Sequence, residues 1–142
     1  MDFTLSDEQR MFADSVRQLF ADSSGPDQWR SQMESGAARD DARWAQIADM
    51  GLTLLMLPEE AGGLGLGEVD FALIAEQAGY AALPEPLAES AGVAAPMLAA
   101  LAPGHAALAD PRAAIAIQHP ANPYVLDADL AGAILLHKDG EA

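Results

Sequence analysis

The sequence of 142 residues contains no cysteine, only seven lysines and arginines, and only three histidines. Without cysteine, the chain cannot form a disulfide bond, a thiolate metal site or a cysteine nucleophile. His105, His119 and His137 lie far apart and match neither the HxxxH nor the HExxH pattern of zinc proteins. The sequence therefore predicts no metal site.

Positive charge is scarce, because 22 aspartates and glutamates give the chain a net charge of −15. Such a chain gains little from contact with nucleic acid or an anionic membrane surface, so neither is an expected partner. The longest apolar stretch, Ala91 to Ala102, contains Gly92 and Pro96 and is too short to span a bilayer. Acidic residues stand where a secretory signal would begin, so we expect a cytoplasmic protein.

Alanine is abundant, with 31 residues, and several apolar patterns predict helices. Helical spacing indicates one helix over about residues 7–21, with Ser6 and Gln9 at capping-box spacing. A second helix is predicted after an Asp41 cap, and a third over about residues 68–83. Leu87–Leu101 predicts a nearly all-apolar helix, kinked at Pro96 and buried inside something larger.

The remaining segments have other patterns. Ser23-Ser24-Gly25-Pro26 ends the first helix, and a polar, weakly patterned stretch follows to about Asp40, with at most a short helix near Trp29. Leu52–Leu57 is ambiguous between a strand and a buried connector, and Pro58–Gly67 is a loop. Ala113–Gln118 and Ala133–His137 predict short strands, followed by a hairpin turn at Asp139-Gly140.

No catalytic constellation emerges from spacing alone. The glycines of the 58–67 loop do not match the G-x-G-x-x-G fingerprint, which favours a structural connector over a ligand-binding loop. A buried carboxylate could act as a general base, but carboxylates on amphipathic helices and loops usually form the solvated face. Several acids are available in this way: Glu59, Glu60, Glu76, Glu85 and Glu89.

Four motifs in order carry a family resemblance. They are DFxLSxEQ at Asp2–Gln9, WxxIAxMGL at Trp44–Leu52, LPEExGGLGL at Leu57–Leu66 and DxALIAEQxGY at Asp70–Tyr80. Together they resemble the N-terminal helical domain of the acyl-CoA dehydrogenase family over residues 1–102. The resemblance implies a mainly α fold, with a helical domain over residues 1–110 and the incomplete beginning of the middle β domain over residues 111–142.

The resemblance also implies a chemistry. The family's flavoenzymes desaturate an acyl-CoA thioester between its α and β carbons and pass a hydride to FAD. Their catalytic glutamate lies in a C-terminal domain, so no residue of this sequence is assigned a catalytic role. The implied partners are the remaining dehydrogenase domains or a partner subunit, acyl-CoA, an electron-transfer flavoprotein and further copies in a homo- or hetero-oligomer.

Two segments are candidate sites by this resemblance. Gln118-His119-Pro120 stands where the family has a flavin-contacting Thr-Glu-Pro motif, although only Pro120 matches and no Gly-Ser-Asp follows. Pro86, Leu87 and Ser90 fall at a helix break where the family's acyl pocket ends, so they are candidate substrate contacts. Alternatively, the prolines near this break only turn the chain between two helices.

Three functions therefore remain open at the level of sequence. The chain is part of a catalytic acyl-CoA dehydrogenase of fatty acid or sterol catabolism, contributing an acyl-pocket wall and a subunit interface. Alternatively, it is a non-catalytic, dehydrogenase-like subunit that stabilises an active partner, or a stand-alone acyl-binding or scaffolding module. Coenzyme A is anionic, so a chain of charge −15 is not its main electrostatic host.

Overall fold

The computed structural model describes residues 4–137 and shows a mainly helical chain that ends in a small sheet. The helices are α1 (Asp7–Ser23), α2 (Pro26–Ser35), α3 (Asp41–Asp49), α4 (Glu68–Tyr80), α5 (Leu87–Glu89) and α6 (Ala95–Leu101). A π turn, Ser90–Ala94, joins α5 to α6, and 3-10 turns lie at Leu52–Leu54, Glu59–Ala61 and Ala106–Leu108. Strands β1 (Ala114–Ile117) and β2 (Ala131–Leu135) follow. The predicted fold class is confirmed.

Helix ends depend on local hydrogen bonds. The predicted capping box is present at α1, where the Ser6 hydroxyl accepts the Gln9 N–H at 3.1 Å and the Gln9 side chain accepts the Ser6 N–H. The predicted Asp41 cap is wrong: Asp40 caps α3, because its carboxylate accepts the N–H groups of Ala42 and Arg43.

Two helices differ in length from their predictions. Helix α4 ends at Tyr80 rather than Leu83, because Ala82 adopts a left-handed conformation with φ of 49° and the Leu83 N–H donates back to the Ala78 carbonyl. Helix α2 is longer than the short helix expected near Trp29. It has proline in its first turn, a left-handed Gly36 at its end and no buried residue, so no apolar stripe marks it in the sequence.

The core consists of two hydrophobic clusters joined by the Leu52–Leu57 segment. Leu52 and Leu55 belong to the first cluster, which includes Phe20, Trp44 and Ile74. Leu54 and Leu57 belong to the second cluster, which is built largely from the alanines and leucines of the π turn, α6 and the turn after it. The segment is therefore the buried connector, not the strand, of the two predicted alternatives.

The glycine loop after this connector is shaped by close packing. At Gly63, a Cβ would overlap the backbone carbonyl oxygens of Leu54 and Leu57. Only glycine allows that approach. This supports the connector interpretation of residues 58–67.

The two strands pair in parallel, with Ile115 opposite Ala133, Ala116 opposite Ile134 and Ile117 opposite Leu135. Both predicted strands are confirmed, with bounds displaced by one or two residues. Parallel pairing requires a crossover, which residues 118–130 provide in place of a tight hairpin. The predicted turn at Asp139-Gly140 lies outside the described residues.

Candidate functional site

The three predicted substrate residues lie together at the turn that begins α5. Pro86 is half-buried, while Leu87 and Ser90 are each only 1% exposed. Leu87 packs in the first core cluster. The structure thus brings these residues together, with Leu87 and Ser90 facing the interior of this chain, and their contact with substrate stays a prediction.

Ser90 has a polar partner in the sheet. Its hydroxyl oxygen accepts a hydrogen bond from the Ile115 backbone N–H at 2.9 Å, and both residues are buried. The two residues are 25 positions apart in sequence. The start of the helical segment Leu87–Leu101 is thereby tied directly to strand β1.

A buried ion pair, which the sequence analysis missed, holds the same turn from the other side. The Glu85 carboxylate accepts two hydrogen bonds from the Arg43 guanidinium, from Nε at 2.8 Å and from Nη2 at 2.7 Å. Glu85 is 5% exposed and Arg43 is 2% exposed. Nothing in the spacing distinguishes Glu85 from the chain's many other acids, because it lies in a turn without a periodic pattern.

Arg43 connects four segments of the chain. Besides Glu85, it donates to the Ser23 carbonyl at the end of α1 and to the Gln32 side chain in α2. The Asp40 N–H also donates to the Glu85 carboxylate at 3.2 Å. Because both carboxylate oxygens of Glu85 are engaged, this glutamate serves the architecture and is a poor candidate for a general base.

Two further side chains fix the segment that leads into β1. The Thr53 hydroxyl donates to the Pro111 carbonyl at 2.7 Å, and the Trp44 indole N–H donates to the Arg112 carbonyl at 2.8 Å. Together with Ser90, they bind the backbone of residues 111–115 to the helical core. Strand β1 is therefore an integral part of the packing of the helices.

The predicted flavin segment lies just after β1. The Gln118 N–H donates to the Leu135 carbonyl, and the Gln118 side-chain oxygen accepts the His137 N–H at 3.2 Å. His119 Nδ1 accepts the Ala121 N–H, and the His119 carbonyl accepts the Asn122 N–H. Pro120 is exposed and has no N–H.

These hydrogen bonds limit the contacts that residues 118–122 could make with a flavin. The backbone N–H groups of Gln118, Ala121 and Asn122 already donate, to β2 in the first case and to His119 in the other two, so they cannot form a backbone cradle for the flavin ring. Within residues 4–137, the side-chain amide nitrogen of Gln118 makes no hydrogen bond. It is therefore available as a single hydrogen-bond donor, and its contact with a flavin stays a prediction.

Two surface clefts lie elsewhere. One of about 340 Å³ is lined by Arg17, Glu76, Gln77 and Tyr80, and one of about 590 Å³ is lined by polar residues between Asp27 and Asp41. Neither is lined by the predicted substrate or flavin residues. Over residues 4–137, no three His, Asp or Glu side chains cluster in a way that could hold a metal ion. No helix in that range combines the length and the apolar character needed to cross a membrane.

Comparison with known proteins identifies the family. The family model described as "Acyl-CoA dehydrogenase, N-terminal domain" matches residues 6–104. The chain belongs to the acyl-CoA dehydrogenase family. The matched range contains helices α1 to α6 and overlaps the resemblance over residues 1–102. The domain boundary at residue 110 stays a prediction.

One curated relative and one solved structure extend the likeness past the helices. Acyl-CoA dehydrogenase IpdE2 of Mycobacterium tuberculosis is 29% identical over 97% of this chain and 44% of its own length. A variant of the Tcur3481-Tcur3483 steroid ACAD has the same fold, with a TM-score of 0.70 and 22% identity, over 94% of this chain and 45% of that chain. This acyl-CoA dehydrogenase family chain thus spans less than half the length of either protein.

Proposed function

We propose that the chain forms the N-terminal part of a flavoprotein that desaturates an acyl-CoA thioester between its α and β carbons. The observation that supports this most strongly is the family match over residues 6–104, which ends just before a β1 strand fixed to the helical core. The two relatives are more than twice as long, so the catalytic glutamate and most of the FAD site belong to polypeptide outside these 142 residues.

The proposed role of this chain is to shape one wall of the acyl pocket. The turn at Pro86 is held from one side by the Arg43–Glu85 ion pair and from the other by the Ser90–Ile115 hydrogen bond. A rigid wall at the end of the pocket limits the length and shape of the acyl group that the pocket accepts. The structural neighbour is a steroid ACAD, so a bulky steroid-derived acyl-CoA is the first substrate to compare with a straight-chain acyl-CoA.

FAD would supply the hydride acceptor of this reaction. From this chain, the Gln118 side-chain amide would donate a hydrogen bond to the flavin, and electrons would then pass to an electron-transfer flavoprotein. The Ala121 N–H engages His119 Nδ1, so His119 could contact the cofactor only through Nε2, and Pro120 would shape the turn around these contacts. A cytoplasmic location completes the proposal.

The proposal also includes a subunit interface. Val93, Met97 and Leu101 form an exposed apolar stripe at helical spacing along the π turn and α6. Such a stripe is typical of a surface that a second helix covers. A partner subunit or another dehydrogenase domain would pack there.

The visible spectrum and the solution mass test the function. We expect the 142-residue chain to be colourless, and the assembled protein that contains it to show a flavin band near about 450 nm and to oxidise an acyl-CoA. If flavin and activity are present only when a second, larger flavoprotein co-purifies with the chain, the result favours the non-catalytic subunit. A yellow, monomeric chain that desaturates a thioester unaided would contradict the proposal.

A further inference from the structure

Ser90 occupies an unusual position for a predicted substrate contact. It is 1% exposed, and its hydroxyl oxygen is used by the Ile115 N–H at 2.9 Å. Its carbonyl accepts the Ala95 N–H and so closes the π turn. Isolated π turns in helices often occur at functional sites, because the extra residue redirects a side chain.

Regular pairing between β1 and β2 begins at Ile115. The pairing between β1 and β2 is irregular between Ala114 and Ile115, and from Ile115 onward each residue pairs in step with β2. The regular stretch ends where the Gln118 N–H donates to the Leu135 carbonyl at 2.8 Å. A displacement of β1 at Ile115 would therefore be carried along the ladder to Gln118.

The Ile115 N–H depends on Ser90. It is buried and points at the Ser90 hydroxyl rather than at the neighbouring strand. A buried N–H that loses its acceptor is strongly unfavourable, so β1 would shift or open to regain one.

We propose that Ser90 is a positioning residue that sets the register of β1 and thereby holds Gln118 in place beside the flavin. This inference rests on the proposed function for the flavin contact, but the positioning itself concerns residues of this chain alone. Ser90 links the turn that forms the acyl wall to the strand that carries the cofactor contact. It acts on β1 through its hydrogen bond to the Ile115 N–H.

Amide hydrogen exchange in the complete protein that carries these residues tests the positioning. In Ser90→Ala, we expect exchange at both Ile115 and Gln118 to rise about tenfold or more relative to the Ile74 amide. Ser90→Thr keeps the acceptor and should restore protection at both amides. If Ser90→Ala does not fold, Ser90→Cys keeps the size with a weaker acceptor and should give a smaller rise at the same two amides.

Thr53→Val is the matched control, because it removes a different hydrogen bond between the helical core and the segment before β1. It should leave the relative exchange at Gln118 unchanged. Faster exchange at Ile115 without a change at Gln118, or no change at either amide, would overturn the proposal.

FAD affinity, measured by flavin fluorescence, separates this inference from the proposed function. We expect the Kd for FAD to rise about tenfold in Ser90→Ala and to recover in Ser90→Thr. If the wild-type complete protein binds no FAD, the proposed function fails, and the exchange measurements still decide whether Ser90 positions Gln118. If it binds FAD and Ser90→Ala does not weaken that binding, the link to the flavin is wrong.

Discussion

A buried carboxylate in a chain of net charge −15 needs a cation of its own, and Glu85 has Arg43. The side chains of the pair are 0% and 1% exposed, so water screens their attraction very little. Removing both charges from water costs free energy. This cost is offset only because the remaining Arg43 N–H groups also donate hydrogen bonds, to the Ser23 carbonyl and to the Gln32 side-chain oxygen. Arg43 and Glu85 therefore depend on each other.

Glu85→Gln should lower the free energy of unfolding by about 3–5 kcal/mol, because it removes the buried counter-charge of Arg43 and leaves only the partly exposed Asp40 carboxylate at 3.9 Å. Chemical denaturation followed by circular dichroism measures this change. Glu60→Gln, at an exposed loop position, should have almost no effect. A loss for Glu85→Gln below about 1 kcal/mol, similar to that of an exposed ion pair, would show that the pair is solvated in solution.

Gly63→Ala should destabilise the chain by about 1–3 kcal/mol, because the new methyl group would overlap two backbone carbonyls that cannot move independently. Gly104→Ala is the matched control, since a Cβ there meets nothing within 4 Å. Thermal unfolding of both variants should show a lower Tm for Gly63→Ala alone. Equal Tm values would mean that the loop packs more loosely than the structure indicates.

At the scale of elements, a glycine within the π turn allows close contact between that turn and α4. A Cβ at Gly92 would overlap the ring of Phe71 in α4. We expect Gly92→Ala to cost about 1–3 kcal/mol, and Phe71→Leu combined with Gly92→Ala to recover part of that loss in a double-mutant cycle. Gly79→Ala, a helical glycine with open space, should instead raise the Tm. Simple additivity of the Gly92 and Phe71 changes would contradict the contact.

The elements also show how far sequence reasoning reaches. Helix α1 was predictable because Val16 and Phe20 recur on one face and Ser6 caps it. Helix α2 buries no residue. Its apolar residues therefore form too weak a periodic pattern for the length of the helix to be predicted from the sequence. Pro96 predicted a kink, and the structure places Pro96 in the first turn of α6, directly after a π turn that ends at Ala94. The kink itself stays a prediction.

The sequence indicated where the candidate site residues lie better than it indicated what each of them does. Family motifs led to Pro86, Leu87 and Ser90, and the structure brings them to one turn. The partners of that turn come from distant positions, because Glu85 binds Arg43 and Ser90 binds Ile115. Local spacing carries no information about hydrogen bonds between residues 25 or 42 positions apart.

At the scale of the whole molecule, an apolar stripe stands out on an acidic chain. Val93, Met97 and Leu101 are 45%, 43% and 72% exposed, and the segment from Ser90 to Ala102 contains no charged residue. Repulsion between chains of charge −15 opposes non-specific association. A stable contact through this stripe therefore requires close apolar packing by its partner.

Met97→Glu should weaken assembly with the remaining dehydrogenase domains or subunit, since it would bury a carboxylate in an apolar contact. Met33→Glu makes the same change at a methionine of α2 that is 76% exposed, so it serves as the matched control for added charge. Sedimentation velocity of the assembled protein should show dissociation for Met97→Glu only, with the Tm of the isolated chain unchanged in both variants. If both variants assemble like the wild type, the stripe faces solvent in the assembly, and the interface must lie on another face of the helices.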